Sequence, residues 1–86
     1  MNFTVQYRPR VERDIERLPR GVLELVDRKL RLLGETPRPS GCKKLKGAGL
    51  WRVRVGDYRI VYEVDDARKI VDVHIVAHRR DVYRGL

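Results

Sequence analysis

The sequence predicts an α+β fold in which two N-terminal helices pack on one face of a small antiparallel sheet, in the order β-α-α-β-β-β. Apolar residues recur with helical spacing between residues 9 and 34, and they alternate with polar residues from Trp51 onwards. A short alternating segment, residues 3–7, precedes the helices and predicts a first strand with Phe3, Val5 and Tyr7 inward. With 86 residues, the chain is expected to form one domain spanning residues 1–86.

The two helices are indicated by their boundaries and by their apolar stripes. Pro9 fits the first turn of a helix, and Pro19 ends it. After Gly21, a broader stripe predicts a second helix that is buried over a wide face and capped by Gly34. The two stripes consist of Val11, Ile15 and Leu18, then Val22, Leu23, Leu25, Val26, Leu30, Leu32 and Leu33.

Three strands are predicted in the second half of the chain. Residues 51–55 and 58–64 alternate between apolar and polar side chains, and Gly56-Asp57 between them is a hairpin signal. Residues 69–77 are apolar at most positions, which predicts an interior strand. Because Cys42 is the one cysteine in the sequence, the fold must be stable without an internal disulfide.

The charge of the chain favours a polyanionic partner. The formal net charge is +8, and residues 43–62 carry six basic residues against one acidic residue. Nucleic acid, an acidic protein or an anionic membrane surface would all fit such a charge. No apolar run is long enough to span a membrane, and the first ten residues lack the apolar stretch of a secretory signal, so a cytoplasmic protein is expected.

The spacing of three arginines predicts an anion site. Arg52 and Arg54 alternate with apolar residues and should point away from the helices, and a tight hairpin would bring Arg59 beside them. Guanidinium groups crowded on one face repel one another unless an anion lies between them, and their planar donors suit phosphate. A solvated face is the alternative for any charged strand, and the spacing alone leaves it open.

The end of the chain adds groups that do more than bind. Histidine is the residue type suited to proton transfer at neutral pH, which makes His78 a candidate for moving a proton, and Tyr83 offers a ring for stacking on a base. His74 shares the strand parity of His78, but a third ligand is not nearby, so neither a metal site nor a cofactor is predicted. Further attraction to a phosphate backbone is expected from Lys43, Lys44, Lys46 and Arg80.

Four short segments together resemble the RelE/ParE toxin superfamily, and the RelE branch in particular. They are KLKG at residues 44–47, LWRVRV at 50–55, GDYRIVY at 56–62 and HRRDVY at 78–83. Each segment is weak alone, but their order and spacing cover essentially the whole chain. The resemblance implies the same fold, two helices against an antiparallel sheet.

The resemblance also implies a function, that of a ribosome-dependent endoribonuclease in a type II toxin–antitoxin pair. Such toxins enter the ribosomal A site and cleave mRNA, where a 2′-OH attacks the adjacent phosphate. The implied partners are a cognate antitoxin, in a hetero-oligomer, and the ribosome with its mRNA; no cofactor is implied. The family's catalytic positions fall on Arg52, Arg54, Arg59, Arg79 and Tyr83.

One departure from the RelE pattern concerns the general base. The well-known RelE form has lysines at the positions of Arg52 and Arg54, and arginine is a poor base at neutral pH. We therefore hypothesise that His78 assists proton transfer, with a ribosomal or RNA group as the other route. Two alternatives to RNA cleavage stay open: a ParE-like inhibitor of DNA gyrase, and an inactive homologue that only binds its antitoxin or RNA.

Overall fold

The chain folds into two helices packed on one face of a five-stranded sheet, which confirms the predicted α+β class. The computed structural model describes residues 2–47 and 49–85, so residues 1, 48 and 86 of the predicted domain lie outside the described residues. The elements are β1 (Thr4–Tyr7), α1 (Pro9–Glu16), α2 (Arg20–Glu35), β2 (Lys43–Leu45), β3 (Leu50–Val55), β4 (Tyr58–Asp65), β5 (Ile70–His78) and a 3₁₀ turn, η1 (Val82–Gly85). The strand order is β1-β5-β4-β3-β2.

The sheet is mixed rather than antiparallel throughout. β1 runs parallel to β5, where the Thr4 N–H donates to the Lys69 carbonyl at 2.8 Å and the Arg8 N–H donates to the Val73 carbonyl at 2.9 Å. In addition, residues 43–45 form an edge strand against β3. Side chains alternate in the same way along parallel and antiparallel strands, so the sequence pattern carried no information on the direction of β1.

The main core lies between the helices and the sheet. Its buried members are Val11, Val26, Leu30, Leu33, Val53, Val55, Ile60, Tyr62, Val71, Val73 and Val76. The stripe that α2 buries is narrower than predicted, because a single sheet covers one face of a helix and leaves Leu23, Leu25 and Leu32 exposed. Neither helix is long and apolar enough to cross a membrane within the described residues.

Gly34 does not cap α2 as predicted, but allows the helix to lie close to the residues at the start of β1. The helix α2 continues through it to Glu35. A Cβ at Gly34 would lie 3.2 Å from Val5 Cγ2 and 3.3 Å from the Phe3 carbonyl oxygen, and the Phe3 N–H donates to the Gly34 carbonyl at 2.6 Å. The missing side chain therefore lets α2 lie directly against the start of β1.

The opposite face of the sheet is not covered by the helices. It carries a smaller apolar cluster, in which Val82 of η1 packs with Leu50, Val61 and Ile75 from three strands. Val82 is fully buried, so it anchors the end of the chain on this open face. This anchoring brings the residues after β5 to the same side of the sheet as the arginines of β3 and β4.

Candidate functional site

The hairpin between β3 and β4 sets the spacing of the arginines. Its two-residue turn has Gly56 at the first central position with φ of 59°, the place that type II′ turns give to glycine. In the resulting register Arg54 lies opposite Arg59, and Arg52 lies opposite Val61. The predicted juxtaposition of Arg54 and Arg59 on the open face is therefore confirmed.

Arg59 is more buried than the sequence indicated. Only 9 % of it is exposed, and its Nη1 donates to the carbonyl oxygens of Gly56 at 3.0 Å and Tyr58 at 2.9 Å. The guanidinium therefore folds back over the hairpin turn, where two carbonyls fix its orientation. Among residues 2–47 and 49–85, no carboxylate forms an ion pair with this guanidinium.

Four arginines, which we call the arginine cluster, act on one another electrostatically: Arg52, Arg54, Arg59 and Arg79. Burial lowers the pKa of the Arg59 guanidinium, and repulsion by Arg54, Arg52 and Arg79 lowers it further, while Tyr83 opposes the shift. Within residues 2–47 and 49–85, none of the four forms an ion pair. An anion bound among them would relieve this repulsion.

The segment after β5 completes the cluster. The Arg79 N–H donates to the Asp57 carbonyl at 2.8 Å, which places Arg79 beside the hairpin turn. Arg52 Nη1 lies 3.4 Å from the Tyr83 hydroxyl, and Arg52 Nε is buried without a hydrogen-bond partner among the described residues. Tyr83 is 49 % exposed, so its ring is available for stacking. The sequence did not indicate the role of the Asp57 carbonyl in placing Arg79, because a backbone hydrogen bond leaves no pattern of side chains.

The predicted backbone-binding residues are divided between the two faces. Lys43 lies opposite Arg52 and therefore on the open face, whereas Lys44 lies opposite Trp51, with its Nζ 5.9 Å from the centre of the indole ring. Lys46 follows in the turn after β2, and Arg80 is exposed beside Arg79. The structure thus brings Lys43, but not Lys44, to the face of the arginine cluster.

The ring of His78 lies on the helix-covered face. It contacts Tyr58 edge to face, with 5.3 Å between the ring centres, and it shares its strand parity with Val76 of the main core. The structure therefore does not bring His78 to the arginine cluster, and its ring is not placed to take a proton from a group bound there.

His74 lies on the opposite face from His78, contrary to the predicted shared parity. A bulge between β4 and β5 leaves His74 without a cross-strand partner, which reverses the alternation between the two histidines. His74 Nε2 is 3.4 Å from Glu63 Oε1 and 3.6 Å from Asp72 Oδ2, and the ligand atoms of the three residues lie within 4.8 Å of one another. Arg8 Nε already pairs with Asp72 at 2.9 Å, so a cation is built into this cluster.

Comparison with known proteins gives consistent matches over the length of the chain. The profile of the family described as the ParE toxin of type II toxin–antitoxin system, parDE, matches residues 5–83. Toxin RelG from Mycobacterium tuberculosis is 34 % identical over 87 residues, which cover 98 % of this chain and 99 % of that protein.

Solved structures of similar fold include toxins with and without their antitoxins. This chain is similar to a chain of the archaeal RelE–RelB complex from Pyrococcus horikoshii, with a TM-score of 0.82 and 27 % sequence identity. The match covers 92 % of this chain and 97 % of that chain. A mutant of E. coli toxin RelE in the free state gives a TM-score of 0.79 and 27 % identity over 98 % of this chain and 93 % of that chain.

Proposed function

The chain belongs to the ParE toxin family of type II toxin–antitoxin systems, in the RelE/ParE superfamily, and from this premise we propose that it is a ribosome-dependent endoribonuclease. The observation that carries the proposal is the arginine cluster, four guanidiniums on one open face without an ion-pair partner among the described residues. The planar donors of guanidinium groups match the oxygens of phosphate, so such a face suits the backbone of RNA. Action on ribosomes would place the protein in the cytoplasm.

The proposed reaction is an internal displacement at phosphorus. The 2′-oxygen of one nucleotide bonds to the adjacent phosphorus while its proton leaves, and the bond from phosphorus to the 5′-oxygen breaks as that oxygen gains a proton. The products are a 2′,3′-cyclic phosphate and a 5′-OH. Arg59 and Arg79 would stabilise the charge that grows on the phosphate oxygens, and each such donor contributes about 10²- to 10³-fold in rate.

Arg52, Arg54 and Tyr83 would position the RNA. The two arginines add positive charge along β3, and the exposed ring of Tyr83 would stack on a base and hold the nucleotide in line for attack. These five residues include no imidazole and no carboxylate, and both arginine and tyrosine are poor bases at neutral pH. We therefore propose that the RNA or the ribosome accepts the 2′-OH proton, which also explains a dependence on the ribosome.

A cognate antitoxin is the expected protein partner. The P. horikoshii structure is a RelE–RelB complex, and the E. coli RelBE structure is described as an intact toxin–antitoxin complex. Repulsion within the arginine cluster favours an acidic antitoxin segment over this face, since such a segment would neutralise it. We propose a toxin–antitoxin hetero-oligomer in which RNA and antitoxin compete for the cluster.

The proposal is tested by mapping mRNA cleavage on programmed ribosomes with the purified full-length chain. We expect cuts that leave a 5′-OH and a cyclic phosphate, and Arg79→Ala should slow single-turnover cleavage by about 10²-fold. Arg20→Ala is the matched control, because Arg20 is an exposed arginine at the start of α2, in the helix layer. Its cleavage rate should equal that of the unmodified chain.

Two other results would assign a different function. Inhibition of DNA gyrase is the first alternative, and intact mRNA on ribosomes together with inhibited supercoiling would favour gyrase as the target. Intact mRNA, active gyrase and undisturbed growth on expression without an antitoxin would indicate a homologue that only binds. Either result overturns RNA cleavage as the function.

A further inference from the structure

The turn after β5 is held by three hydrogen bonds, one of which depends on a side chain. The Arg79 N–H donates to the Asp57 carbonyl and the Asp81 N–H donates to the His78 carbonyl, both at 2.8 Å. The Arg80 N–H donates to the ring nitrogen Nδ1 of His78 at 3.2 Å. The peptide groups on both sides of Arg79 are thereby fixed, and only the bond to Nδ1 is sensitive to mutation or protonation.

The ring of His78 packs against Tyr58, in a depression lined by residues from the helix layer. Tyr58 contacts the ring edge to face at an interplanar angle of 81°. Asp14 is engaged elsewhere, since its Oδ2 accepts the Val76 N–H at 3.1 Å and pairs with Arg10 Nε at 3.2 Å. The charged and titratable groups that line the same depression are Arg10 and Asp14 from α1, Arg17 directly after α1, Tyr58 from β4, and Asp81 from the turn.

We propose that His78 is a positioning residue, whose neutral Nδ1 accepts the Arg80 N–H and so fixes the turn that aims Arg79 at the scissile phosphate. The role of Arg79 rests on the proposed function, whereas the hydrogen bond does not. Nδ1 can accept only when the ring proton is on Nε2, and an imidazolium carries N–H groups at both positions. Protonation of His78 therefore breaks the bond and loosens the turn.

Two substitutions separate the acceptor from the ring. His78→Asn keeps an acceptor, because the asparagine Oδ1 takes the place of Nδ1, and it cannot be protonated in the physiological range. His78→Phe keeps an aromatic ring against Tyr58 and removes the acceptor. A role in packing alone predicts that the Phe variant behaves normally, and a role in proton transfer predicts that both variants lose activity.

The hydrogen bond itself is measured by amide hydrogen exchange at Arg80, in full-length protein and without RNA. We expect protection at Arg80 to fall about threefold to tenfold in His78→Phe and to remain in His78→Asn, as one neutral hydrogen bond requires. In the unmodified chain, protection corrected for the intrinsic rate should fall as His78 is protonated, whereas the Asn variant should show no such dependence. Unchanged protection in the Phe variant overturns the proposal.

Cleavage on programmed ribosomes then tests the link to Arg79. His78→Asn should cleave within about threefold of the unmodified chain, and His78→Phe should be slower by about tenfold, the effect of one hydrogen bond. Equal losses in both variants, with Arg80 still protected in the Asn variant, would contradict the positioning role. If the unmodified chain cleaves no mRNA, the proposed function fails, and the exchange at Arg80 still decides whether Nδ1 holds the turn.

Discussion

The two faces of the sheet use alternate residues of the same strands for different purposes. On the helix-covered face, Val53 and Ile60 are buried in an apolar core that joins the sheet to both helices. On the open face, their chain neighbours Arg54 and Arg59 lie opposite each other and carry charge without an ion-pair partner among the described residues. The larger apolar core is therefore on one face, and the arginines that repel one another are on the other.

The open face is itself divided by charge. At one end Arg8 pairs with both Glu63 and Asp72, so part of the acidic charge there is balanced within the protein. At the hairpin end the arginines lack such a counter-charge, and repulsion lowers the pKa of Arg59. The contrast supports the proposal that an external anion binds at the positive end, because Arg8 supplies a counter-charge at the other end.

The largest expected effect is on the rate of RNA cleavage, and it is expected in the variant Arg59→Gln. The variant keeps hydrogen-bond donors at the hairpin but removes the buried charge, so cleavage should fall by about 10²- to 10³-fold. Because burial and repulsion lower the pKa of Arg59, its charge does not favour folding, and the free energy of unfolding should change by no more than about 1 kcal/mol. Single-turnover cleavage and urea unfolding at pH 7 measure the two quantities.

A parallel loss of activity and stability in Arg59→Gln would contradict the division between the faces. It would mean that the buried guanidinium holds the hairpin through its bonds to Gly56 and Tyr58, and that the lost activity follows from a distorted turn. The circular dichroism spectrum of the variant and its affinity for the antitoxin report whether the fold is intact.

The next largest effect is on the free energy of unfolding, and it is expected to differ between two buried valines on opposite faces of the sheet. Val53 is 2 % exposed in the main core, and Val61 is fully buried in the smaller cluster beside Val82. Val53→Ala should cost about 2–3 kcal/mol, and Val61→Ala about 1–2 kcal/mol, because η1 at the end of the chain can move into the space that Val61 leaves. Urea unfolding of both variants measures the difference.

Only the Val61 substitution should also affect the site. Val61 supports Val82, and Val82 precedes Tyr83, so Val61→Ala should reduce cleavage several-fold under conditions in which both variants are folded. If Val53→Ala reduces cleavage equally at matched folded fractions, the site depends on the whole core and not on the anchoring of η1.

The arginine site was predictable because it depends on local geometry. Strand alternation has a period of two, and a two-residue turn fixes the register, so Arg54 and Arg59 had to lie together. The burial of Arg59 was not predictable from the sequence. Its guanidinium is held by the backbone carbonyls of Gly56 and Tyr58, and every residue type has such a carbonyl.

The placement of the histidines and of β1 depends on contacts between distant parts of the chain. His74 has no partner because β4 and β5 differ by one residue at the bulge, and this mismatch moved His78 to the helix side. Similarly, the parallel pairing of β1 with β5 joins residues more than sixty positions apart. Period-two patterns are insensitive to both features, so the sequence did not indicate on which face of the sheet His78 lies or in which direction β1 runs.

The smallest expected effect concerns two adjacent lysines on opposite faces. Lys43 lies opposite Arg52 on the open face, and Lys44 lies over Trp51 on the other face. For a single-stranded RNA with a 2′-deoxy substitution at the cleavage site, each phosphate contact adds about 0.7 to the slope of log affinity against log salt. Lys43→Ala should lower that slope by about this amount, and Lys44→Ala should leave it unchanged, in anisotropy titrations over a salt series. Equal slopes for the two variants would mean that RNA is attracted by the overall charge of +8, and the open face would then have no separate role in binding.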